Sequence, residues 1–314
     1  MEIREATEQD IPAILAVLKA SLGEISSRKT EDVWLFKHVN NPFGKSLVLV
    51  AVEDGEIIGV RAFMRWQWQQ NERTNKCYRA VDTATHPDHQ GKGVFKKLTL
   101  KAIEIAKEEN GDFIFNTPNE QSLPGYLKMG WEKVGQLRVK IKPTLPIYWL
   151  TKGTSSYSVN KNIGHDIIEK LCNGWNDGNK KEGKVFTPKT ADYLSWRYEN
   201  NALQDYEVYS AAGFYIAGYV KQRKYFKELR IVEIIAEDAQ SYKEANKIVK
   251  KWIKKFGATF VSISHNAGLF NNIKISGNFG PVLTVRKLNL PENEYRSLLN
   301  LQTFNYTLGD LELF

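Results

Sequence analysis

Two glycines, Gly91 and Gly93, stand where a strand-like stretch gives way to a helix-like one, and this arrangement favours the binding of an anion. Residues 77–85 alternate branched or aromatic residues with polar ones, which is typical of a half-buried strand, and Pro87 cannot continue its hydrogen-bond ladder. Apolar residues then recur at helical spacing, so we expect a helix to begin near Lys92. The first N–H groups of a helix are unpaired and lie at the positive end of its dipole. With only glycine beside them, they can hold a phosphate group.

This turn and a second segment further along the chain resemble the two linked motifs of the GNAT acetyltransferase superfamily. The family's pyrophosphate loop, Q/R-x-x-G-x-G/A, is similar to the run Gln90, Gly91, Lys92, Gly93, Val94 and Phe95. The family's second segment, N-x-x-A/S-x-x-x-Y-x-K-x-G-F/W, is similar to the run that holds Asn119, Ser122 and Tyr126. Phe95 departs from the pattern, because the family usually has glycine or alanine there. A dinucleotide or Walker-type loop fits worse, since G-x-G-x-x-G and G-K-S/T are missing in context.

The resemblance implies that the loop holds the diphosphate of acetyl-CoA, which would be the acyl donor. It also implies that Asn119 and Ser122 hydrogen-bond the cofactor arm or cap the short helix that follows them. In the family, this arm pairs with the exposed edge of the strand that here ends at Thr85. Backbone N–H groups near Ala84 and Thr85 would then face the thioester oxygen and stabilise the negative charge that develops on it.

Tyr126 and Asp82 are the candidates for proton transfer. We expect Tyr126 to be the general acid, since a phenol is protonated at neutral pH and can give its proton to the departing thiolate. A tyrosine ring that only packs beside the cofactor is the alternative. Asp82 could relay a proton from the amine, although its place does not match that of the family's usual glutamate. Water could serve instead, as could a carboxylate at Phe314, for which a packed tail is the alternative.

The composition is that of a soluble protein, and we expect a cytoplasmic one. The longest apolar run, residues 47–52, is far too short to cross a bilayer, and the first residues lack an export signal. The two cysteines, Cys77 and Cys172, are expected to be reduced. A net charge of +8 favours anionic partners, but the 44 basic and 36 acidic residues are interspersed. We therefore expect no nucleic-acid partner and no membrane insertion, and the oligomeric state stays open.

Histidines and tryptophans near these motifs allow more than one role. His86 and His89 could suggest a metal, but they flank a proline in a turn and no third ligand is spaced nearby, so we expect no metal. Trp66 and Trp68 share one strand face and, with Trp34, could wall the acceptor site. They could equally fill an interface between domains.

The chain repeats its own order of elements, which predicts two domains. Residues 196–201 resemble residues 34–41, and each segment is followed by a strand, a tight turn and another strand. The first copy is expected to end with one strand over residues 131–142, and the second with a strand over residues 281–288. The predicted fold class is α/β with mixed sheets, in two tandem GNAT-like acyl-CoA N-acyltransferase domains. The predicted division is a GNAT domain at residues 1–142, a linker at residues 143–162 and a degenerate GNAT-like domain at residues 163–314.

The second copy lacks the glycine turn. The equivalent residues, 237–241, contain no glycine and two carboxylates, which would repel a diphosphate. A lysine-rich face on the following helix resembles a nucleic-acid stripe, but the same helix has an apolar face, so we interpret the lysines as a solvated surface. We therefore predict one active unit and a second unit that supports it and walls the acceptor cleft.

The predicted function is acetyl-CoA-dependent N-acetyltransfer to a primary amine. The resemblance suggests a small acceptor, such as an amino sugar or an amino-acid derivative, because a second domain can roof over a small molecule. Two alternatives stay open: acyl transfer to a peptide or protein amine, and a CoA-binding sensor or scaffold without turnover. The sequence names neither the acceptor nor the length of the acyl group.

Overall fold

The structure, a computed structural model, describes residues 1–24, 28–151, 153–270 and 275–311. In these residues the strands form two mixed sheets, of eight and seven strands, that share one apolar interior. The α-helices described are α1 (Ile11–Leu22), α2 (Glu31–His38), α3 (Val94–Glu108), α4 (Leu123–Lys128), α5 (Pro146–Trp149), α6 (His165–Lys181), α7 (Ala191–Leu194), α8 (Ala239–Phe256), α9 (Glu292–Leu298) and α10 (Leu308–Leu311). The strands described are β1 (Glu2–Glu5), β2 (Leu47–Glu53), β3 (Glu56–Gln70), β4 (Arg73–Thr85), β5 (Phe113–Asn116), β6 (Glu132–Gln136), β7 (Val139–Pro143), β8 (Val159–Lys161), β9 (Val185–Phe186), β10 (Glu207–Ala211), β11 (Phe214–Gln222), β12 (Lys227–Ala236), β13 (Phe260–Ser264), β14 (Ser276–Gly277) and β15 (Val282–Lys287).

The first sheet has the order β1-β2-β3-β4-β5-β15-β6, with β9 paired to the end of β3. Its only parallel pair within the described residues is β4 with β5, which pair over residues 77–79 and 113–115. β4 continues to Thr85, so the two strands part after Arg79 and leave a gap between their edges. Helix α3 covers one face of this sheet, and α1 and α2 cover part of the other.

The second sheet has the order β14-β7-β13-β12-β11-β10-β8. Helix α8 packs its apolar side on this sheet, with Ala245, Val249 and Trp252 buried against the strands. β12 and β13 are its central parallel pair. This repeats the arrangement of α3, β4 and β5 in the first sheet.

The two sheets exchange a strand each. β7 follows β6 directly along the chain, yet it pairs with β13 in the second sheet. β15, from the C-terminal part of the chain, lies between β5 and β6 in the first sheet. The single strand predicted over residues 131–142 is therefore wrong, because the chain leaves the first sheet near Leu137 and enters the second. The strand predicted over residues 281–288 forms, but it completes the first sheet.

The predicted division of the chain at residues 142 and 163 stays a prediction. The topology adds that neither sheet is built from one half of the chain alone. The predicted linker, residues 143–162, contains α5 and β8, and β8 pairs with β10 at the edge of the second sheet. The end of the linker is thus part of a sheet.

The two segments with similar sequences meet in the shared interior. Trp196, in a π-helical turn that continues α7, stacks on Phe36 of α2 with ring centroids 4.9 Å apart. Its indole N–H donates to the carbonyl oxygen of Phe36 at 3.0 Å. Trp66 and Trp68 are 1% and 0% exposed in the same interior, while Trp34 packs with α1. Of the two roles left open for Trp66 and Trp68, they take the packing role.

A buried ionic cluster fastens α10 between the two halves. Lys189 Nζ lies 2.6 Å from Asp310 Oδ1 and 2.8 Å from Glu233 Oε2, and none of these side chains is exposed. Arg79 donates to the carbonyl oxygens of Asp310 and Leu311 at 3.2 and 2.9 Å. Because Arg79 ends the paired part of β4, α10 lies beside the point where β4 and β5 part.

Cysteines, histidines and helix lengths bear on the remaining expectations. Cys77 and Cys172 are buried and not bonded to each other, and burial raises the pKa of both thiols.

Within the described ranges, no helix combines the length and the apolar character needed to cross a bilayer. In the same ranges, His86 and His89 belong to no group of three or more potential metal ligands, and the expectation that no metal is used stays a prediction.

Candidate active site

The start of α3 is open at the predicted glycine turn. α3 begins at Val94, and Gly93 before it is left-handed, with φ of 75°, while Gly91 has φ of 77°. A β-carbon built at either glycine would meet no described atom within 4 Å. No described side chain caps this helix, so its first N–H groups stay available at the positive end of the dipole. The turn can therefore accept an anionic group.

The matching turn in the second sheet is closed by a carboxylate. Asp238 caps α8, and its Oδ1 accepts a hydrogen bond from the Ser241 N–H at 2.7 Å. This hydrogen bond lowers the pKa of Asp238, so the group is charged at neutral pH. A diphosphate would meet a negative charge here, which supports our interpretation of the second copy as the one without a phosphate site.

One groove gathers the predicted site residues. It has a volume of about 790 Å³ and extends from the glycine turn to the gap between β4 and β5. The predicted residues that line it are Asp82, Ala84, Thr85, Gln90, Gly91, Gly93, Val94, Phe95, Asn119, Ser122 and Tyr126. Lys92 does not line it; this side chain is more than half exposed and its Nζ lies 3.6 Å from Glu53 Oε2. The roles of these residues stay predictions.

Helix α4 forms one wall of the groove. The ring of Phe95, the residue that departs from the family pattern, packs edge-on against Tyr126 with centroids 5.7 Å apart. It also lies 3.5 Å from the place that a β-carbon on Gly125 would take. Asn119 Oδ1 accepts hydrogen bonds from the N–H and the hydroxyl of Ser122 at 2.9 and 2.8 Å. The Asn119 and Ser122 pair thus orders the start of α4.

Tyr126 is 6% exposed, and a buried arginine holds its hydroxyl oxygen. Arg61 Nη1 donates to the Tyr126 hydroxyl at 2.8 Å and also to Thr83 Oγ1. Because the phenol oxygen accepts a hydrogen bond from Arg61, its own hydrogen can be donated to another group. Arg61 lies in β3, next to β4.

Asp82 lies at an irregularity in β4. The register between β3 and β4 shifts between Arg61 and Ala62, which leaves Asp82 without a cross-strand partner and with φ of 40°. Its Oδ2 contacts Lys37 Nζ and lies 2.9 Å from His38 Nε2. Helix α2 supplies both of these side chains, and both are buried.

The glycine turn, the groove and Tyr126 all belong to a segment of known family. Residues 2–134 match the model of the acetyltransferase (GNAT) domain. This segment is a GNAT acetyltransferase domain. No curated protein sequence matches the chain significantly.

Several solved structures share the fold over both sheets. A GCN5-related N-acetyltransferase from Kribbella flavida has a TM-score of 0.68 at 14% identity, over 92% of this chain and 71% of that one. A protein of unknown function from Enterococcus faecalis, described as a probable N-acyltransferase, has a TM-score of 0.67 at 10% identity, with 92% and 73% covered. A GCN5-related N-acetyltransferase from Anabaena variabilis has a TM-score of 0.65 at 12% identity, also with 92% and 73% covered. At these identities the likeness shows the fold alone, and with the two mixed sheets it confirms the predicted fold class.

The Asp82 carboxylate of the GNAT domain is ionised, and the ammonium group of Lys37 balances its charge. Burial alone would raise its pKa, but the charge of Lys37 and the hydrogen bond from His38 outweigh burial and hold the pKa well below its usual value. Burial lowers the pKa of His38, and the hydrogen bond to Asp82 offsets this only in part, so His38 is neutral at pH 7. A carboxylate that binds protons so weakly can relay a proton from the amine to water, but it does not stay protonated.

Three residues of the site, Lys37, His38 and Arg61, were missed by sequence reasoning. The only signal for the first two was indirect, because a carboxylate in an apolar strand, such as Asp82, needs a cation when it is buried. Arg61 likewise interrupts an apolar run in β3. Neither pattern identifies the partner residue.

Phe314 lies outside the described residues, so its carboxylate stays a prediction. The last described residue is Leu311. Its carbonyl oxygen accepts hydrogen bonds from Arg79 Nη2 at 2.9 Å and from Thr117 Oγ1 at 3.4 Å. Since Thr117 lines the groove, the described chain reaches the wall of the GNAT domain's groove.

Proposed function

We propose that this protein is an acetyl-CoA-dependent N-acetyltransferase that acts on a primary amine of a small molecule, such as an amino sugar or an amino-acid derivative. One observation supports it most: a single groove joins an uncapped helix start, the gap between two strand edges, and Tyr126. These features are, respectively, a site for a phosphate group, a surface for an extended arm and a proton donor.

Acetyl-CoA fits this groove as the acyl donor. The N–H groups at the start of α3 would hold its diphosphate, because no described side chain caps them. Beyond Arg79, the edge of β4 that faces β5 has no ladder partner in the described residues, so the pantetheine arm can add to it like a strand. Ala84 and Thr85 lie on this part of β4 and line the groove.

The transfer requires an uncharged amine next to the thioester carbonyl. The amine nitrogen bonds to the carbonyl carbon, the carbon–sulfur bond breaks, and the sulfur keeps the electron pair and takes a proton from Tyr126. N–H groups near Ala84 and Thr85 would stabilise the oxyanion that forms on the way. Holding both substrates together contributes up to ~7 to 11 kcal/mol in favourable systems. The amine's own proton would leave by way of Asp82 to water.

A CoA-binding sensor without turnover is the second candidate, and the state of Asp82 favours it. The charge of Lys37 already neutralises this carboxylate and His38 hydrogen-bonds it, so it takes up a proton only weakly. An enzyme with so weak a base would act best on amines that are uncharged in solution. A sensor needs no base at all.

Two measurements on the whole chain separate these candidates. Titration calorimetry measures the binding of acetyl-CoA, and a thiol reagent then measures CoA release in the presence of amino sugars, amino acids or peptides. Amine-dependent release of the thiol supports the enzyme, and the preferred amine identifies the acceptor class. Tight binding without release for any amine supports the sensor, and absence of binding contradicts both.

A further inference from the structure

Arg61 places a positive charge in the interior directly behind the groove. It lies in β3 and its surface is 0% exposed. Its Nη1 donates to the hydroxyl of Tyr126 at 2.8 Å and to Thr83 Oγ1. Tyr126 and Thr83 line the groove, whereas Arg61 stands behind them and does not.

In the part of the chain that the structure describes, the rest of the Arg61 guanidinium has no polar partner. Its Nε and Nη2 are buried and without a hydrogen-bond partner among the described residues, and no ion pair of those residues includes it. Its central carbon lies 4.7 Å from the ring centre of Phe63, 5.3 Å from that of Tyr126 and 5.8 Å from that of Phe95. Aromatic rings attract a cation, but they do not replace a carboxylate, and arginine is almost never fully buried unless it is paired.

Packing alone does not account for an arginine at this position. A methionine or a leucine would fill the space between the rings without taking a charge out of water, which is strongly unfavourable. The charge acts electrostatically on the groups that it touches, and the effect is stronger in the interior than in water. On the side of the groove, the ionisable group that it touches is the phenol of Tyr126.

We propose that Arg61 is the positioning residue of the general acid: it orients the hydroxyl of Tyr126 toward the groove and stabilises the phenolate that proton transfer leaves behind. This inference rests on the proposed acetyltransfer. The Arg61 N–H occupies one lone pair of the phenol oxygen, so the phenol hydrogen points away from the guanidinium. Among the described residues no carboxylate pairs with this guanidinium, and it gains an opposite charge when Tyr126 has given up its proton.

The proton and the electron pairs are all accounted for in this step. The amine nitrogen bonds to the carbonyl carbon, and the carbon–sulfur bond breaks with its electron pair left on sulfur. The O–H bond of Tyr126 breaks as the sulfur takes the proton, and that electron pair stays on the phenol oxygen. Arg61 faces this negative charge until water returns a proton to Tyr126. The proton lost by the amine goes to water.

Other charged groups packed around Tyr126 do not replace Arg61. Asp82 on β4 and Lys96 on α3 line the groove with Tyr126, Lys128 lies on the same helix as Tyr126, and Arg286 on β15 donates to the carbonyl oxygen of Met129 at the end of that helix. Asp82 is paired with Lys37, and both lysines, Lys96 and Lys128, are exposed. Arg286 lies over the ring of Trp131, with its central carbon 5.4 Å from the ring centre, and donates to a backbone carbonyl oxygen. Among the described residues, the hydrogen bond to the phenol oxygen comes from Arg61.

Fluorine NMR of a 3-fluorotyrosine placed at position 126 tests the inference without any turnover. In Arg61→Met the phenol should ionise at a higher pH than in the wild-type protein, because an opposite charge no longer favours the phenolate. Arg61→Lys keeps the charge and should restore most of the original behaviour. Arg61→Gln keeps N–H donors without the charge, and should behave like Arg61→Met even if the methionine variant does not fold.

Arg65→Met is the matched control. Arg65 lies in the same strand and also donates to a tyrosine, the hydroxyl of Tyr78, at 2.6 Å, but outside the groove. Its loss should leave the ionisation at position 126 unchanged. If Arg65→Met shifts that ionisation as much as Arg61→Met does, the effect is general and the inference is overturned.

Kinetics then show whether the contact serves the reaction. In Arg61→Met we expect kcat to fall about tenfold or more, KM for acetyl-CoA to stay within about twofold, and the alkaline limb of kcat to move to higher pH. Tyr126→Phe should lack that limb. Phenol ionisation and kcat both unchanged in Arg61→Met and Arg61→Gln would overturn the inference. If the wild-type chain releases no thiol, the proposed function fails instead, and the NMR titration still decides whether Arg61 controls Tyr126.

Discussion

Lys37→Met would remove the ammonium group from Asp82 and keep most of the buried side-chain volume. The Lys37 side chain is 6% exposed and that of Asp82 is 14% exposed, so water screens this pair little. Removal of one partner from a buried ion pair typically costs about 3 to 5 kcal/mol, because the other charge is left uncompensated. His38 still donates to Asp82, so we expect a loss near the lower end, about 3 kcal/mol of unfolding free energy at pH 7.

Urea unfolding at pH 7 measures this loss of unfolding free energy. The double variant Lys37→Met with Asp82→Asn removes the charge on both sides and should regain most of the stability. Lys45→Met is the control, because Lys45 is exposed and pairs with Glu8 at 3.7 Å, a surface contact worth about 1 kcal/mol at most. A loss below about 1 kcal/mol in Lys37→Met, with no recovery in the double variant, would refute the reasoning that Asp82 is an ionised group in a largely desolvated ion pair.

The same loss should depend on pH with a defined sign. Because the pKa of Asp82 is depressed in the folded protein, its contribution to stability is present above about pH 4, the unfolded value, and is lost as the pH falls toward the folded pKa. In Lys37→Met the pKa of Asp82 should rise, so this carboxylate takes up a proton more readily and no longer needs a cation. The difference between variant and wild type should therefore be largest at neutral pH. A difference that stays constant down to about pH 4 would argue against this.

Three further variants test other parts of the structure. Tyr126→Phe should lower kcat about a hundredfold while acetyl-CoA still binds, as calorimetry and thiol release can show; unchanged kcat would leave Tyr126 a packing residue. Gly93→Ala puts a methyl group beside the start of α3 and should weaken acetyl-CoA binding about tenfold. Gly183→Ala is the control, because Gly183 has a similar φ of 65° but lies outside the groove. This control should lose similar stability and keep its affinity for acetyl-CoA. Lys189→Met leaves the buried carboxylates of Asp310 and Glu233 without their cation and should cost about 3 kcal/mol or more in urea unfolding; a loss under about 1 kcal/mol would contradict the cluster.

Local signals in the sequence were sufficient to predict the glycine turn. Pro87 predicts that the preceding strand stops near Thr85, and β4 ends at that residue. The helical spacing predicts a start near Lys92, and α3 starts at Val94. Each of these signals acts over a few residues, so no knowledge of the rest of the fold is required.

The exchange of strands could not be predicted in this way. Apolar and charged residues alternate along β7 in a pattern that suits either sheet. The sheet that β7 joins therefore depends on which strand edge is free when the chain folds. That edge is β13, more than a hundred residues away, and the place beside β5 goes to β15 instead. Duplication predicts two sheets, but it does not predict which copy supplies the last strand of each.

The charged residues of the site were predicted only in part for a related reason. Tyr126 stands in the second motif, so the resemblance points to it directly, whereas Asp82 was a candidate because it is a carboxylate in the strand that leads into the glycine turn. Lys37 and His38 come from α2, far from Asp82 along the chain, and Arg61 comes from the middle of β3. A buried charge predicts that a partner exists, but tertiary packing decides which residue that partner is.

A crystal structure of the protein with acetyl-CoA is the most direct test of the central claim. We predict that the diphosphate lies on the N–H groups at the start of α3, next to Gly91 and Gly93, and that the sulfur lies within hydrogen-bond reach of the Tyr126 hydroxyl. A diphosphate bound away from this turn, or a sulfur far from Tyr126, would contradict the claim.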